Sequence, residues 1–492
     1  VRPGITPEQL ARITAMTEAF PELLALMDRR DLSVARLRKL AFGAPTEKTA
    51  TVCAPSQEAT VGDARPQGRR RGHGRRGQQA YTGARRVAVS HPTLRPGQPC
   101  PDCQRGKLRG QLKPATAIRL EAQPPITATV HEMEVLRCAL CGKTFTAPTP
   151  PEAGTQKHDP SVGVMVGLLR YGSGMPFYRL AQWQRSLGVP LPASTQWELA
   201  DEVARQVEPA VDALAQHAAQ APTLHNDDTT MRVSQLRRQI QAEEKPARTG
   251  IFTTGLVAQS PEHPIALFVT GRQHAGENLD DVLQHRDKER PPPLQMCDGL
   301  ARNEPKVGTT TLAWCLAHGR RGFVDVAADF PEQCRYVLER VREVYRVDAQ
   351  AKEKGLSSAE RLRLHQTQSQ PVMEALHAWL EEQRRDPRVE PNSGLGEAIE
   401  YMLDHWVELT RFLDQPGAPL DNNLCERMLK TAILHRKNSL SYKTQRGAKV
   451  GDIFMSLIQT CRLNRANPFD YVLALVRHTA EVKANPRAWL PW

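Results

Sequence analysis

Three short acidic segments, HNDDTT (225–230), LQMCDG (294–299) and DNNLCER (421–427), constrain the fold of this 492-residue chain more than any other feature. Each puts an acid at the polar end of an apolar or β-branched stretch, or one turn into a helix opened by Asp and Asn. Asp227, Asp298 and Glu426 therefore read as three carboxylates of one site. A fold that satisfies them must bring together positions separated by 71 and then 128 residues. The chemistry explains why three are needed. Hard cations take oxygen ligands, and two Mg²⁺ (or Mn²⁺) ions roughly 3.5–4 Å apart can activate a water or a 3′-hydroxyl and stabilise the leaving oxygen of an in-line displacement. Asp227 and Asp228 compete for the first position, and in a strand they point to opposite faces; Asp227 is taken as the ligand.

The chain is too long for a single core, so several domains are expected. Its net charge of +12 is unevenly spread. The first 150 residues hold 24 Lys and Arg against 12 Asp and Glu, and the remainder holds 42 of each. A basic N-terminal third on a neutral body is the electrostatic footprint of a polyanion-binding module, with nucleic acid the obvious polyanion. The longest apolar run, near Val162 to Leu169, is far below the roughly 20 residues needed to span a bilayer. The first residues lack the apolar core of a secretory signal, and the ten cysteines do not suggest a disulfide framework. A cytoplasmic, nucleoid-associated protein with no membrane partner is expected.

Residues 1–43 read as a helical N-terminal arm, either a short coiled coil or a helical pair packing on itself. Residues 44–98 form a basic linker with no acid between Asp63 and Asp102. Within it Arg69, Arg70, Arg71, Arg75 and Arg76 form either a solvated tether or an arm that tracks phosphates by counterion release. Cys100 and Cys103, then Cys138 and Cys141, make two Cys-x-x-Cys knuckles 34 residues apart, the ligand set of a structural Zn²⁺ in a zinc ribbon over 99–147. Strand-like alternation around Ala128 to Leu136 lies between them. An all-α segment over 161–220 follows, with helices near 162–171 and 176–187 and a third capped at Ser194 and running to Ala218. It reads as a helix-turn-helix DNA reader or an all-α spacer, with the spacer favoured because the exposed positions of the third helix are acidic (Glu198, Asp201, Glu202) and would repel phosphate.

After Leu224 the pattern changes to strands, one ending near Asp227 and others over 250–258, 265–270, 294–296 and 310–315. The second and third suggest a hairpin. This order, with an acid on the first strand, another after the fourth and a third on a late helix, is the layout of a ribonuclease H-like fold. Its first part is placed at 221–330 and its second at 416–492. Amphipathic helices over 332–351, 359–384 and 395–413 make a helical insertion, placed at 331–415. The overall expectation is thus multidomain α/β, with a ribonuclease H-like catalytic core interrupted by helices. Residues 421–492 carry 12 Lys and Arg against 5 acids, enough to seat a phosphate backbone. Lys430, Arg436, Lys437, Lys443 and Arg446 are the candidate contacts. His318, Arg320 and Arg321, at a strand end, are candidates too, although a histidine there is equally a core residue.

With these residues assembled, the chain resembles transposases of the insertion-sequence 66 family over nearly its full length. The resemblance is carried by Phe42-Gly43 with Glu47-Lys48, the paired cysteine knuckles, LRYGSGMP (169–176), HNDDTT (225–230), WCLAHGRR (314–321), and above all DNN (421–423) through Glu426-Arg427 with RKN (436–438). It implies an Asp-Asp-Glu enzyme that cuts at the ends of a mobile element and joins 3′-hydroxyls to target DNA, with Asp227, Asp298 and Glu426 as metal ligands. A homo-oligomer in the synaptic complex and small accessory proteins are the implied partners beside DNA. The alternatives are a catalytically inactive zinc-containing DNA-binding protein and a nuclease without strand transfer.

Overall fold

The change to strands after Leu224 is realised as a five-stranded mixed sheet. The computed structural model describes residues 49–52, 92–105, 107–109, 125–137 and 144–492. The arm expected over 1–43, the arginines between 69 and 76, and Cys138 and Cys141 lie outside the described residues. Those described fall into two compact units, one drawn from 59–317 and 405–492, the other from 1–58 and 318–404.

The first unit carries the sheet. Its strands are β1 (Thr223–Thr230), β2 (Phe252–Gln259), β3 (Ile265–Gly271), β4 (Leu294–Cys297) and β5 (Thr311–Trp314), in the order β3-β2-β1-β4-β5. β1, β2 and β3 form an antiparallel meander, while β4 runs parallel to β1 and β5 parallel to β4. The expected hairpin is present, with Leu256 opposite Leu267. β2 is buried along nearly its whole length, as expected of a strand covered on both faces. β1 differs: Thr223 to Asn226 are buried, Asp227 to Thr229 are half-buried and Thr230 is exposed. Asp227 thus stands where the central strand leaves the core.

The helices of this unit include α1 (Pro160–Gly167), α2 (Phe177–Ser186), α3 (Ala193–Ala218), α4 (Ser234–Ala242), α5 (Ala275–Leu283), α6 (Asn423–Ser439), α7 (Gln445–Leu463) and α8 (Pro468–Arg477). α3 begins one residue before the expected cap at Ser194, because Pro192 is extended (ψ 149°) and releases the chain into the helix at Ala193. Its acidic face is also narrower than expected. Glu198 and Glu202 are exposed, but Asp201 is buried against Arg205 and Arg446. The apolar stripe of α7 is core, with Val450, Ile453, Phe454, Leu457, Ile458 and Cys461 at most 1% exposed. α1 reaches that stripe at Gly167, where a Cβ would lie 2.0 Å from Phe454.

α7 also closes the free edge of β3 with side chains. Thr460 accepts from the Ala266 N–H (3.1 Å), Ser456 from the Phe268 N–H (2.9 Å) and Asp452 from the Thr270 N–H (2.8 Å). The periods match: four residues of helix rise about 6 Å and two residues of strand about 6.6 Å. Alternate strand amides therefore meet every fourth helix residue. An exposed edge would otherwise offer a row of unpaired groups.

The second unit is helical over Pro331–Glu353, Ser358–Gln368, Gln370–Arg385 and Gly394–Asp404. The helix expected over 359–384 is two helices. Pro371, in the first turn of the later one, has no N–H to continue the earlier one, and the Ser369 hydroxyl meets His365 at 2.9 Å. Asp348 is buried between Lys352 and Arg361, each at 2.7 Å. Burial opposes its charge, but hydrogen bonds from His365 and Lys352 and the charge of Arg361 outweigh it and hold the carboxyl well below its usual range.

Val135–Arg137, just before the second cysteine pair in sequence, pairs antiparallel with Thr144–Thr146, just after it. The first pair sits in a turn closed by a Pro99–Lys107 bridge, with Gln104 N–H donating to Cys100 O (2.9 Å) and Gln104 at φ +54°.

Candidate active site

Asp227 lies on the central strand, Asp298 directly after β4 and Glu426 in the first turn of α6. The parallel pairing of β1 with β4, His225 opposite Met296, sets the first two side by side at the same end of the sheet. α6 is brought there by packing on β1 and β2. Gly255, the register partner of Asp227, makes that approach feasible. A Cβ at Gly255 would stand 3.0 Å from Leu429 and 3.4 Å from the Cys425 sulfur, so a larger residue would require Leu429 or the helix to give way.

The helix start is also hydrogen-bonded to the strand. Asn422, 1% exposed, donates its amide to Asn226 O (3.0 Å), while its Oδ1 lies 3.1 Å from His225 Nδ1. The Cys425 thiol donates to Gly255 O at 3.2 Å. Asp298 is held from the other side by the Asn303 amide, which donates to its Oδ1. Asn303 O in turn accepts from Asn226 Nδ2 and Gln295 Nε2, both at 2.7 Å. The acids therefore hang on a buried network of neutral groups: His225, Asn226, Gln295, Asn303 and Asn422, none more than 2% exposed.

Asp227 feels its neighbours. Burial, the charge of Asp298, and then those of Asp228 and Glu426 push its carboxyl up to about 7, against a hydrogen bond from the Asp228 N–H. Such crowding of hard oxygen donors fits a divalent cation, which would relieve the repulsion. Asp228 is different. It faces α5, with His274 Nδ1 at 3.2 Å and Arg302 at 3.4 Å, and its charge is answered by the protein.

The basic candidates divide. Lys430, Lys437 and Lys443 are exposed. Arg436 is turned onto the end of β1, donating to the Thr230 carbonyl and to the hydroxyls of Thr230 (2.6 Å) and Thr229 (3.2 Å). Arg446 pairs with Asp201 (2.6 Å) and Glu208 (3.7 Å) on α3. His318, Arg320 and Arg321 are half-buried and belong to the helical unit, where Arg320 reaches Thr49. Cys100 and Cys103 share the turn described above. Missed from sequence were the amide network and the exposed Arg232, Arg237 and Arg238 on and before α4; the run of basic residues after β1 was the available signal. The LRYGSGMP motif proves to be an anchor for α6: Arg170 donates to Ser439, and Asn438 Nδ2 donates to Gly174 O at 2.9 Å.

Among known proteins, the chain is 27% identical over 421 residues to the uncharacterized protein y4hP of Sinorhizobium fredii, covering 80% of this chain and 72% of that one. It is 29% identical over 317 residues to y4jD of the same organism, covering 61% of this chain and 58% of y4jD. Neither printed name assigns an activity. No helix among the described residues is long and apolar enough to cross a membrane. Residues 158–450, which contain all three acids and the strands and helices that carry them, match the model described as Transposase IS66 family, and the chain belongs to that family.

Proposed function

We propose that the chain is a DNA transposase with a ribonuclease H-like core that cuts at element ends and transfers 3′-hydroxyls into target DNA. The convergence of Asp227, Asp298 and Glu426 at one end of the mixed sheet is the observation that carries this reading. The strand order, with an antiparallel meander extended by two parallel strands and the first acid on the central strand, supports the fold assignment.

Asp227, Asp298 and Glu426 would hold two Mg²⁺ or Mn²⁺ ions. Bound there, the ions would supply activation of an oxygen nucleophile and stabilisation of the leaving oxygen. The chain's own contribution is positional. Asn303 aims the Asp298 carboxylate, Asn422 fixes the register of α6 on β1, and Gly255 leaves room for α6, which carries Glu426, to pack on β2 beside Asp227. Lys430, Lys437 and Lys443 offer phosphate contacts that orient the scissile strand without reading sequence. Cys100 and Cys103, with Cys138 and Cys141, would hold a structural Zn²⁺. DNA in the cytoplasm is the partner, with a homo-oligomer pairing two ends and accessory proteins assisting.

The test is a Mg²⁺-dependent strand-transfer assay on DNA bearing the element's own ends. Asp227→Ala, Asp298→Ala and Glu426→Ala should each abolish cleavage while DNA affinity changes less than about threefold, since none contacts phosphate directly. Cleavage that survives in any one variant removes that residue from the site. Cleavage without joining would favour a nuclease, and binding without cleavage in the wild type an inactive DNA-binding protein.

A further inference from the structure

α6 begins with Glu426 and ends in an unusual turn. Leu440 follows its last residue with φ 64° and ψ −49°, and Ser441 N–H donates to Ser439 O at 2.7 Å. This is a γ-turn with positive φ, a rare and strained conformation that favours Gly and that a branched apolar residue seldom adopts. The side chain gains no burial in return: Leu440 is 67% exposed. Both flanks are fixed. Before it, His435 is buried and stacked on Tyr442 with ring centroids 4.1 Å apart. After it, Tyr442 N–H donates to Arg232 O (2.9 Å), Ser234 N–H to Tyr442 O (2.8 Å) and Gln235 N–H to Lys443 O (3.1 Å). The fold therefore holds an apolar side chain out into solvent at a conformational cost.

The surroundings are cationic. Leu440 borders a cleft of about 360 Å³ shared with Arg232, Arg237, Thr249 and Ser441. Arg232, Arg237, Arg238, Lys437 and Lys443 are all exposed, and among the described residues no carboxylate pairs with Arg232, Arg237, Lys437 or Lys443. A projecting apolar residue inside a ring of unpaired cations suits a duplex: the cations take phosphates, and an apolar wedge enters a base step and unstacks it.

We propose that Leu440 is a wedge that distorts DNA at a fixed distance from the reacting phosphate, seated by Arg232, Arg237, Lys437 and Lys443. The inference rests on the DNA-processing reading above. Leu440 lies 14 residues beyond Glu426, immediately past the end of the same helix, about 21 Å at 1.5 Å per residue. For a duplex lying along α6, that is about six base-pair steps at 3.4 Å each.

The experiment uses the full chain and a duplex of the element's own end, with 2-aminopurine placed singly along it. Wild type should brighten the probe at a step about six base pairs from the cut and at no distant step. Leu440→Gly should return the signal to that of free DNA while the Kd changes less than about threefold. This substitution accommodates the positive φ, so the thermal midpoint should hold or rise; Leu440→Asn, also tolerant of that φ, serves as the second variant. Arg232→Ala with Arg237→Ala should weaken binding about tenfold at low salt and lower the salt slope by about 2. Glu426→Ala should keep the signal and lose cleavage. If it cleaves, the active-site reading fails while the fluorescence still decides the wedge. A signal undiminished in both Leu440 variants overturns the proposal. So does a probe that stays dark at every step with wild type; altered sedimentation of the free Leu440→Gly chain would then make the surface a self-association face.

Discussion

The side-chain ladder along β3 has a pH dependence that can be worked out. Asp452 accepts from the Thr270 N–H at 2.8 Å and from its hydroxyl at 2.6 Å, and is 4% exposed. Burial still outweighs those bonds and pushes its carboxyl up to about 7, from 3.8. Between those values the folded chain keeps a proton that the unfolded chain has lost, so stability falls as pH rises. The contribution is complete below 3.8 and is lost as pH climbs through about 7. The slope is about 1.4 kcal/mol per pH unit and the whole effect about 4 kcal/mol. Asp452→Asn removes the titration. Hydrogen exchange of the peptide spanning β3, compared between wild type and Asp452→Asn at the same pH, cancels the intrinsic rate. The ratio of protection, wild type over variant, should fall by about tenfold per unit between pH 4.5 and 7. Ser456→Ala is the control. It strands the buried Phe268 N–H, at a cost of about 1–3 kcal/mol, and its offset should not vary with pH. A wild-type to Asp452→Asn ratio flat within about threefold across that range would refute the reasoning.

Two other substitutions probe the seat of α6. Gly255→Val forces a side chain into space where even a Cβ stands 3.0 Å from Leu429; it should cost about 1–3 kcal/mol and lose most strand transfer in the assay above, with all three acids intact. His435 is fully buried, neither ring nitrogen has a hydrogen-bond partner, and burial, then Arg170, lowers its pKa to about 3. His435→Phe keeps the stack on Tyr442, removes two unsatisfied atoms, and should raise stability by about 1–3 kcal/mol near neutrality. The depressed folded pKa means that the wild type also loses stability as pH falls from 6.5 toward 3, so the advantage should widen in acid. A thermal midpoint below wild type would show that the imidazole is satisfied in solution.

Much of the sheet was legible because its signals are local. The β-branched runs of β2 and β3 and the turn between them fall within a residue or two of their observed limits, and the apolar stripe of α7 is core as its spacing implied. The same helix holds what was not read. Asp452, Ser456 and Thr460 form a polar stripe of period four on an otherwise apolar surface, which on a buried helix has to find partners. The sequence contains that stripe, but its partner, the N–H row of β3, is 182 to 194 residues away. Arg446 is a parallel case. By composition it joins a basic cluster; in space it meets Asp201, 245 residues earlier. The break between Gln368 and Gln370 was visible in Pro371, whose missing N–H should have divided the run.

The two aspartates of β1 make the strongest argument for where the proposed chemistry would lie. They are adjacent and alternate in face, and local sequence hardly separates them. The fold does. Asp228 meets a histidine and an arginine, so its charge is compensated by the protein. Asp227 sits beside Asp298 and near Glu426, and among the described residues no cation lies within ion-pairing distance of it. Its surroundings are positioned by neutral amides instead: Asn422 ties α6 to β1 and Asn303 ties Asp298 to Asn226 and Gln295. A protein that needed Asp227 only for stability would have paired it as it pairs Asp228 and Asp348, since uncompensated buried charge is costly. Rigid neutral support around an uncompensated Asp227 leaves its neutralising charge to be brought from outside, which is what the metal-dependent site proposed above requires.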